Sequence, residues 1–361
     1  METTPLHRPR ELALADLHRA AGATFEEVGG RLVPRDYGDP AREHRAVRED
    51  VGIIDRSALG RAVVTGRDRA TFLHGMLTND VKGLAPGQGC PAAFLDAHGK
   101  VMSMLAVYAL QDRLWLELPP GMTDQTLQLL DKYLISEKAY FEPADDAFVV
   151  IALQGPGTAE RLAKLAARPL ELAPHAHAEA IIAGGPVRVI HRTEAGLPGV
   201  HCWTAPGHAA ALWQALREVG ATPVGHQALD ALRIEAGVPW YGVDVDETVL
   251  MPETRLEALV HYSKGCYIGQ EVVARVKYRG HVNRALSGLV LEGPRVPARG
   301  ARVMAGDKDA GRITSAIRSL ALGVPIALGY VRRDHLEPGT AVTVQDGDTA
   351  LPARVAALPF V

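Results

Sequence analysis

The sequence predicts an α+β body followed by an all-β tail. Up to about residue 285, apolar runs of strand length are interspersed with segments whose apolar residues recur at helical spacing. Beyond it, short apolar stretches are separated by Gly, Asp and Pro, the mark of a small β-barrel or sandwich. The chain has 361 residues, enough for two or three domains at roughly 100–200 residues each. The boundary is placed so that 1–285 is the body and 286–361 the β domain.

"RELALADLHRAAGA" has apolar residues at helical spacing and Gly22 near its end, so it predicts an amphipathic helix. "GRLVPRDYGDP" reads as turn-rich. "GRAVVTG" predicts a strand and "DRATFLHGMLTNDV" the helix after it. "GCPAAFLDAHGKVMSMLAVYAL" predicts a hairpin turning at His98-Gly99. "DRLWLELP" is a further strand, and "MTDQTLQLLDKYLI" a helix with Thr123 or Asp124 as N-cap. "FVVIALQGPG" predicts a buried strand and turn. "TAERLAKLAA", "HAAALWQALREVG" and "HQALDALRIEAG" predict helices. "RALSGLVLEG", "ARVMAGDKDAGRITSA", "IALGYVRRD" and "TAVTVQDGDTALPARVAAL" supply the strands of the tail. No fixed-period repeat and no low-complexity linker is visible.

Composition bounds the function. Hydrophobic residues make up 47% and charged residues 22%, an ordinary globular balance. A net charge of -3 gives no global grip on nucleic acid or an anionic membrane, and 5% aromatics give no base-stacking platform. Cys90, Cys202 and Cys266 are far apart and form no CxxC, which fits a reducing compartment without a disulfide framework or zinc cluster. The first residues mix acids and bases and lack the apolar run of a signal peptide, and no apolar stretch approaches the ~20 residues of a membrane span. A cytoplasmic protein is expected.

"KGCYIGQEVVAR", Lys264 to Arg275, is the segment whose order packing does not explain. A lone cysteine is most often a small buried hydrophobe. Here Lys264 could depress the Cys266 thiol pKa, and Gly265 and Gly269 would let backbone approach a ligand. From Gln270 a short helix is expected, with Glu271 and Arg275 as an i,i+4 pair and Gly280 as its stop; a strand carrying Arg275, Lys277 and Arg279 on one face is the alternative. With Arg284 these cations form either a solvated face or a rim for a carboxylate or phosphate. His175, His177, His191, His201 and His208 show no metal-binding spacing, so no metal site is expected, and "LQGPG" and "IAGGP" form no nucleotide-phosphate motif.

Several stretches resemble the glycine-cleavage T-protein (aminomethyltransferase) superfamily along nearly the whole chain. They are "LTNDV" (77–81), "LQGPGTAERL" (153–162), "ALRIEAGVPWYGVDV" (231–245), "GRITSA" (311–316), "IALGYVR" (326–332) and "LPFV" (358–361). Within it, Lys-Gly-Cys-Tyr-x-Gly-Gln-Glu resembles the signature of the YgfZ branch of folate-binding proteins, matched at every fixed position from Lys264 to Glu271 and continued by Ala274-Arg275. The resemblance implies two interwoven ferredoxin-like units and a C-terminal β-barrel around a central channel for tetrahydrofolate. Asn79, Arg233, Glu235 and Tyr241 would contact the folate. Cys266 would be a working thiol with Lys264 as its electrostatic partner, supported by Gly265, Tyr267, Gly269, Gln270, Glu271 and Arg275.

The departures from the superfamily bear on chemistry. An aspartate pair after the hairpin glycine, one of them the carboxylate near the reacting nitrogen, aligns with Ser103 and Met104. The pterin-gripping glutamate aligns with Leu197, with Glu194 nearby. The methionine of a Ser-His-Met turn becomes Leu59 in "DRSAL". The branch resemblance therefore implies a tetrahydrofolate-binding accessory protein for assembly or repair of iron–sulfur enzymes, including one that methylthiolates tRNA. Its partners would be folate and iron–sulfur client or assembly proteins. Turnover as an aminomethyltransferase is not expected on Ser103 and Met104. The alternatives are a folate-dependent aminomethyl- or methyltransferase or demethylase, and a scaffold with a vestigial channel.

Overall fold

The computed structural model describes residues 8–166 and 169–361. Its helices are α1 (Ala15–Ala20), α2 (Pro40–Glu49), α3 (Arg69–Met76), α4 (Thr123–Asp131), α5 (Thr158–Leu165), α6 (Pro206–Glu218), α7 (His226–Glu235) and α8 (Gln270–Arg279). Two large sheets form most of the body, and a small three-stranded sheet runs Arg10–Glu11, Arg31–Asp36, Thr24–Val28 in spatial order, with Arg10–Glu11 as its third strand. A five-stranded antiparallel sheet runs Gly89–Leu95, Val101–Ala109, Leu114–Leu118, Gly60–Thr65, Tyr140–Pro143 in spatial order. A six-stranded sheet runs His177–Ile182, Gly185–His191, Gly199–Thr204, Val149–Gln154, Gly52–Asp55, Thr222–Pro223. The chain alternates between them: Gly52–Asp55 belongs to one sheet and Gly60–Thr65, after a short turn, to the other.

Each large sheet buries one face under helices. Phe72 and Leu73 of α3 and Leu127 and Leu130 of α4 pack on the five-stranded sheet. Leu162 of α5 and Leu212, Trp213 and Leu216 of α6 pack on the six-stranded one. The opposite faces meet through Ala106, Tyr108, Trp115, Val150, Ile190 and Trp203. Trp115 and Trp203 stack there with centroids 5.3 Å apart, and Tyr108 meets Trp203 edge-on at 6.0 Å. These strands are buried on both sides, which is why they read as continuous apolar runs.

The C-terminal strands close into a six-stranded barrel in the order Arg284–Leu291, Pro325–Arg332, Lys308–Arg318, Arg302–Ala305, Ala341–Asp346, Thr349–Ala356. Closure removes sheet edges, and the interior is filled by apolar residues such as Leu289, Val303, Val331 and Val344. The α+β body and barrel are those the sequence predicts.

Two local expectations fail. The stretch expected to be turn-rich contains the strand Arg31–Asp36, paired with Thr24–Val28. The turn residues do their work at its flanks, and Pro34 is tolerated because the third strand pairs only with Arg31 and Leu32. Neither Thr123 nor Asp124 caps α4: Met122 holds the cap position, and the Thr123 hydroxyl donates to Asp145 Oδ1 at 2.8 Å.

The sheet-to-sheet contact is the joint of the body, and Trp203 is 2% exposed. Trp203→Ala should cost about 3–5 kcal/mol through the cavity it leaves. Urea unfolding should show a lower midpoint at unchanged slope.

Candidate ligand-binding cavity

A cavity of about 690 Å³ opens where both sheets, α7 with the loop after it, and the barrel meet. That volume is in the range of sites for drug-sized ligands, roughly 300–1,000 Å³. Leu105, Leu118, Leu229, Trp240 and Leu256 give it apolar walls. One wall is charged, and Arg56, Glu117, Arg192 and Glu194 line it.

The charged wall is built from strands of both sheets. Arg56 Nε donates to Glu194 Oε1 at 3.0 Å. His201 Nδ1 lies 2.8 Å from Glu117 Oε2, and Arg192 Nε lies 3.2 Å from Glu117 Oε1. His201 Nε2 is 3.5 Å from Glu194 Oε1, so the imidazole bridges the two carboxylates. Burial would push Glu117 up, but the charges of His201 and Arg192 outweigh it and hold its pKa down at about 2. Burial opposes ionisation of Glu194 likewise, and Arg56, His201 and Arg192 hold it well below the usual carboxylate range. The His201 pKa is raised: burial works against its charge, but Glu117 and Glu194 prevail.

None of Arg56, Glu117 and Arg192 is among the residues the sequence singles out, and His201 is weighed there only as a metal ligand. A signal existed for Glu117, an acid inside the apolar strand "LWLEL", since a charge is rarely buried unless it is paired. Its partners come from a distant strand and loop, which no local pattern reveals.

The residues expected to contact folate divide. Arg233 and Tyr241 line the cavity. Arg233 is buried, and its guanidinium donates to Asp230 at 2.8 Å, to Ser315 Oγ at 2.7 Å and to Asp244, while stacking on Trp240 at 4.8 Å. Tyr241 Oη donates to the Met102 carbonyl at 2.6 Å. Asn79 and Glu235 do not line the cavity. The Asn79 amide donates to the carbonyls of Pro91 and Ala258. Glu235 is fully buried and holds His44 Nε2 at 2.6 Å, Ser319 Oγ at 2.6 Å and the Ala321 N–H at 3.0 Å. Both are taken up in joining elements, because a polar residue in a family-like motif serves assembly as readily as binding.

The aligned acid positions also divide. Strand alternation sends Met104 into the cavity and Ser103 away from it, where Ser103 Oγ accepts from Thr126 Oγ1 at 3.1 Å. Leu197 packs in the apolar cluster beside Trp240, and Glu194 faces the cavity. The loop from Lys264 to Glu271 supplies no lining residue. Lys264 is buried, and its ammonium donates to the carbonyls of His74, Leu77 and Asn79 and sits over the Tyr267 ring. It thus satisfies the free carbonyls at the end of α3, and none of its hydrogen bonds reaches Cys266. The expected Lys264–Cys266 partnership gives way to this cap, because three carbonyls already claim all three N–H groups. Burial lowers the Lys264 pKa to about 8.

Cys266 is exposed, whereas Cys90 and Cys202 are buried with thiols pushed up to about 12. Gly269, at φ +81°, starts α8, and a Cβ there would meet the Asp96 carbonyl oxygen at 2.6 Å. The helix expected from Gln270 is present and stops at Gly280. Lys277 pairs with Glu257 and Arg284 with Glu253, and no ion pair joins Glu271 to Arg275 among the described residues. No group of three or more His, Cys, Asp or Glu side chains is placed to hold a metal among the described residues.

An α+β body and a β-barrel enclose a ligand-sized cavity with one charged wall and several apolar ones. Residues 14–264 match the GCVT N-terminal domain, and residues 284–361 match the glycine cleavage T-protein C-terminal barrel domain. The chain belongs to the glycine-cleavage T-protein (aminomethyltransferase) superfamily. It is 34% identical over 362 aligned residues to the aminomethyltransferase of Streptomyces avermitilis, covering 98% of this chain and 97% of that protein. It is 33% identical to the aminomethyltransferase of Saccharopolyspora erythraea, with 98% of each covered. The crystal structure of glycine cleavage system aminomethyltransferase T from Bartonella henselae superposes with a TM-score of 0.88 at 26% identity, covering 98% of both chains.

Two outcomes follow from the charges. Glu117 has a folded pKa depressed below its unfolded value, so it contributes stability above about pH 4.5 that is lost as pH falls toward about 2. Glu117→Gln should therefore flatten the acid limb of a stability–pH profile in that window. Lys264→Met should lower stability by about 1–3 kcal/mol through unsatisfied carbonyls. It should also leave the alkylation rate of native Cys266 within about twofold, since the ammonium is committed elsewhere.

Proposed function

We propose that this chain binds tetrahydrofolate, or a one-carbon derivative of it, in the cavity between body and barrel. In this reading it acts there as a folate-dependent one-carbon transferase of the T-protein superfamily. The observation that carries the reading is the charged wall. Arg192 and Glu194 line a wall facing apolar surfaces and the Trp240 ring; Arg192 Nε is ion-paired to Glu117, while Glu194 Oε2 has no hydrogen-bond partner. Buried polar atoms are seldom left unpaired, and a flat heterocycle with N–H and acceptor edges would pair them. Whole-chain similarity to proteins named aminomethyltransferases supports a transferase above an accessory role.

Bound tetrahydrofolate would supply the nitrogen that carries the one-carbon unit. The chain's own part is binding and orientation. Glu194 would accept from the heterocycle, the apolar walls would exclude water, and Arg233 with Trp240 would close the end toward the barrel. Met104 puts a thioether where the superfamily has its carboxylate, so no charge at that point would stabilise a developing cation. The carboxylates of the wall lie elsewhere and are held by Arg56, Arg192 and His201. The reading therefore covers methyl transfer or demethylation as well as a slow aminomethyl transfer.

A second reading is a folate-binding accessory protein for iron–sulfur maturation. It is favoured by the exposed Cys266 within a loop that matches the YgfZ signature and is fastened at both ends.

Tetrahydrofolate should raise the melting temperature, because a ligand of the folded state alone stabilises it by mass action. A flat thermal-shift and calorimetric response at millimolar tetrahydrofolate would end the folate reading. Aminomethyl transfer from a lipoyl carrier protein should be slow, and Met104→Asp should raise it by roughly tenfold or more if the missing charge limits the rate. An unchanged rate would remove Met104 from the account. For the second reading, a well-expressed Cys266→Ser variant should fail to complement a strain lacking its YgfZ-type protein.

A further inference from the structure

A second, smaller cavity of about 240 Å³ lies where the barrel meets the body segment after α7. It falls below the roughly 300–1,000 Å³ of drug-sized sites, so it suits a small ligand. Its frame is the outer face of the barrel. Tyr330 packs with Val249 and Met251 of the body, while the next residue, Val331, fills the barrel interior. Arg312 is the register partner of Tyr330 on the neighbouring strand, so both side chains project on that outer face with Cβ atoms about 5 Å apart. Arg284, from the first barrel strand, lays its guanidinium over the Tyr330 ring at 5.1 Å. Arg299, ahead of the strand Arg302–Ala305, donates to the carbonyls of Val243 at 2.6 Å and Gly242 at 3.2 Å.

Three guanidiniums thus reach one small cavity from three separate elements. Like charges gathered in this way repel one another unless an anion answers them. The acids present are already engaged. Arg284 alone of the three is ion-paired among the described residues, to Glu253 at 3.1 Å. Asp244 is spent on Arg233, Thr314 and Ser315. Asp246 accepts from the Thr248 N–H and hydroxyl. Burial opposes its ionisation, but those bonds and the charges of Arg312 and Arg284 hold its pKa down. Tyr330 is 4% exposed, and its hydroxyl has no hydrogen-bond partner. The charges that bear on that hydroxyl include Asp244, Asp246 and Arg284, which all line the cavity. Burial first, and then the carboxylates, raise its pKa, so the phenol stays a donor. A buried donor without a partner, beside two arginines without a counter-charge, is a set that an oxyanion satisfies.

We propose that this smaller cavity is a binding site for a small polyvalent oxyanion of the phosphate type, received by Arg312, Arg299 and the Tyr330 hydroxyl with Arg284 completing the positive rim. A carboxylate offers two oxygens in one plane. A phosphate group offers three or more around one centre, which matches donors that arrive from different strands. All four donors belong to the barrel domain, and the body segment covers them. The site is separate from the larger cavity and does not depend on the folate reading. Its volume admits a free phosphate ion, or the phosphate group of a larger molecule whose remainder lies outside.

The test is calorimetric titration of the full chain with inorganic phosphate, and separately with phenyl phosphate, at ionic strength fixed with sodium chloride. Wild-type protein should bind saturably at a single site. Arg312→Gln changes an exposed side chain, so the fold should survive it, and it should weaken binding roughly 10-fold or more, the range for a hydrogen bond to a charged group. Tyr330→Phe keeps the ring under Arg284 and should weaken binding several-fold. Arg318→Gln removes an exposed arginine of the same strand that does not line the cavity, and it should change nothing. Melting curves in phosphate-free buffer check that each variant is folded. Tighter binding of phenyl phosphate would support the site as one for a phosphate on a larger molecule, and tighter binding of inorganic phosphate would support the free ion. No saturable binding of either probe at millimolar concentration would overturn the inference. Binding left intact by Arg312→Gln, or weakened as much by Arg318→Gln, would show a diffuse charge effect and overturn it as well. Unchanged binding by Tyr330→Phe would overturn the part given to the hydroxyl.

Discussion

The buried pair of Arg233 and Asp244 is the constraint on which the cavity depends. Both side chains are almost wholly withdrawn from water. Asp244 also accepts from Thr314, from Ser315 and from the Trp240 N–H, while Arg233 donates to Ser315. One end of this cluster is α7 of the body and the other is the barrel strand Lys308–Arg318. Removing one partner of such a pair typically costs about 3–5 kcal/mol, because the other is left charged and unpaired. A hydrophobic substitute for the pair could match its stability. It could not fix the barrel's position with the same directional bonds. The neighbouring Glu235 makes the second fastening, to Ser319 and Ala321 of the barrel and to His44 of α2. Two residues of the last turn of α7 thus set where the barrel sits, and the cavity is the space left between.

The motif "LRIEAG" takes on a different meaning in this light. Its arginine and glutamate are the residues by which the chain resembles its superfamily, and a binding role for both follows readily from sequence. In the structure the arginine borders the cavity with all three of its guanidinium nitrogens bonded within the protein, and the glutamate is inside the joint. On the opposite wall Glu117 and Arg192 are paired with each other, and Glu194 Oε2 has no hydrogen-bond partner. A ligand can be recognised only by groups whose bonding the fold has not already consumed. That condition separates Glu194 from the two motif residues where sequence similarity does not.

How much of this was legible beforehand depends on range. Segments with strong periodicity or unbroken apolar runs, such as Leu114–Leu118, Val149–Gln154 and α6, are visible in sequence because burial on both faces imposes the pattern locally. The texture change near residue 285 marks the barrel, whose first strand starts at Arg284. The strand Arg31–Asp36 was obscured because its flanking turn residues outweigh a short run containing Pro34. Of the residues the sequence singles out, Arg233 and Tyr241 line the cavity, whereas the pairings of the charged wall are not visible in it. His201 meets Glu117 across 84 positions of chain and Arg56 meets Glu194 across 138, so only tertiary structure brings them together. The departure at Met104 was legible, but that it faces the cavity while Ser103 does not required the pleat.

The cysteine loop is fastened on both sides of an exposed thiol. Lys264 ties its start to the end of α3 through three carbonyls. Gly269 ties its end to the hairpin turn at Asp96–Gly99, where any side chain would collide with backbone. None of the ammonium's hydrogen bonds reaches the exposed Cys266 sulfur. One cysteine cannot by itself complete the ligand set of an iron–sulfur cluster, which takes several thiolates. The loop's construction accordingly suits a thiol presented to something that docks, at a place separate from the cavity.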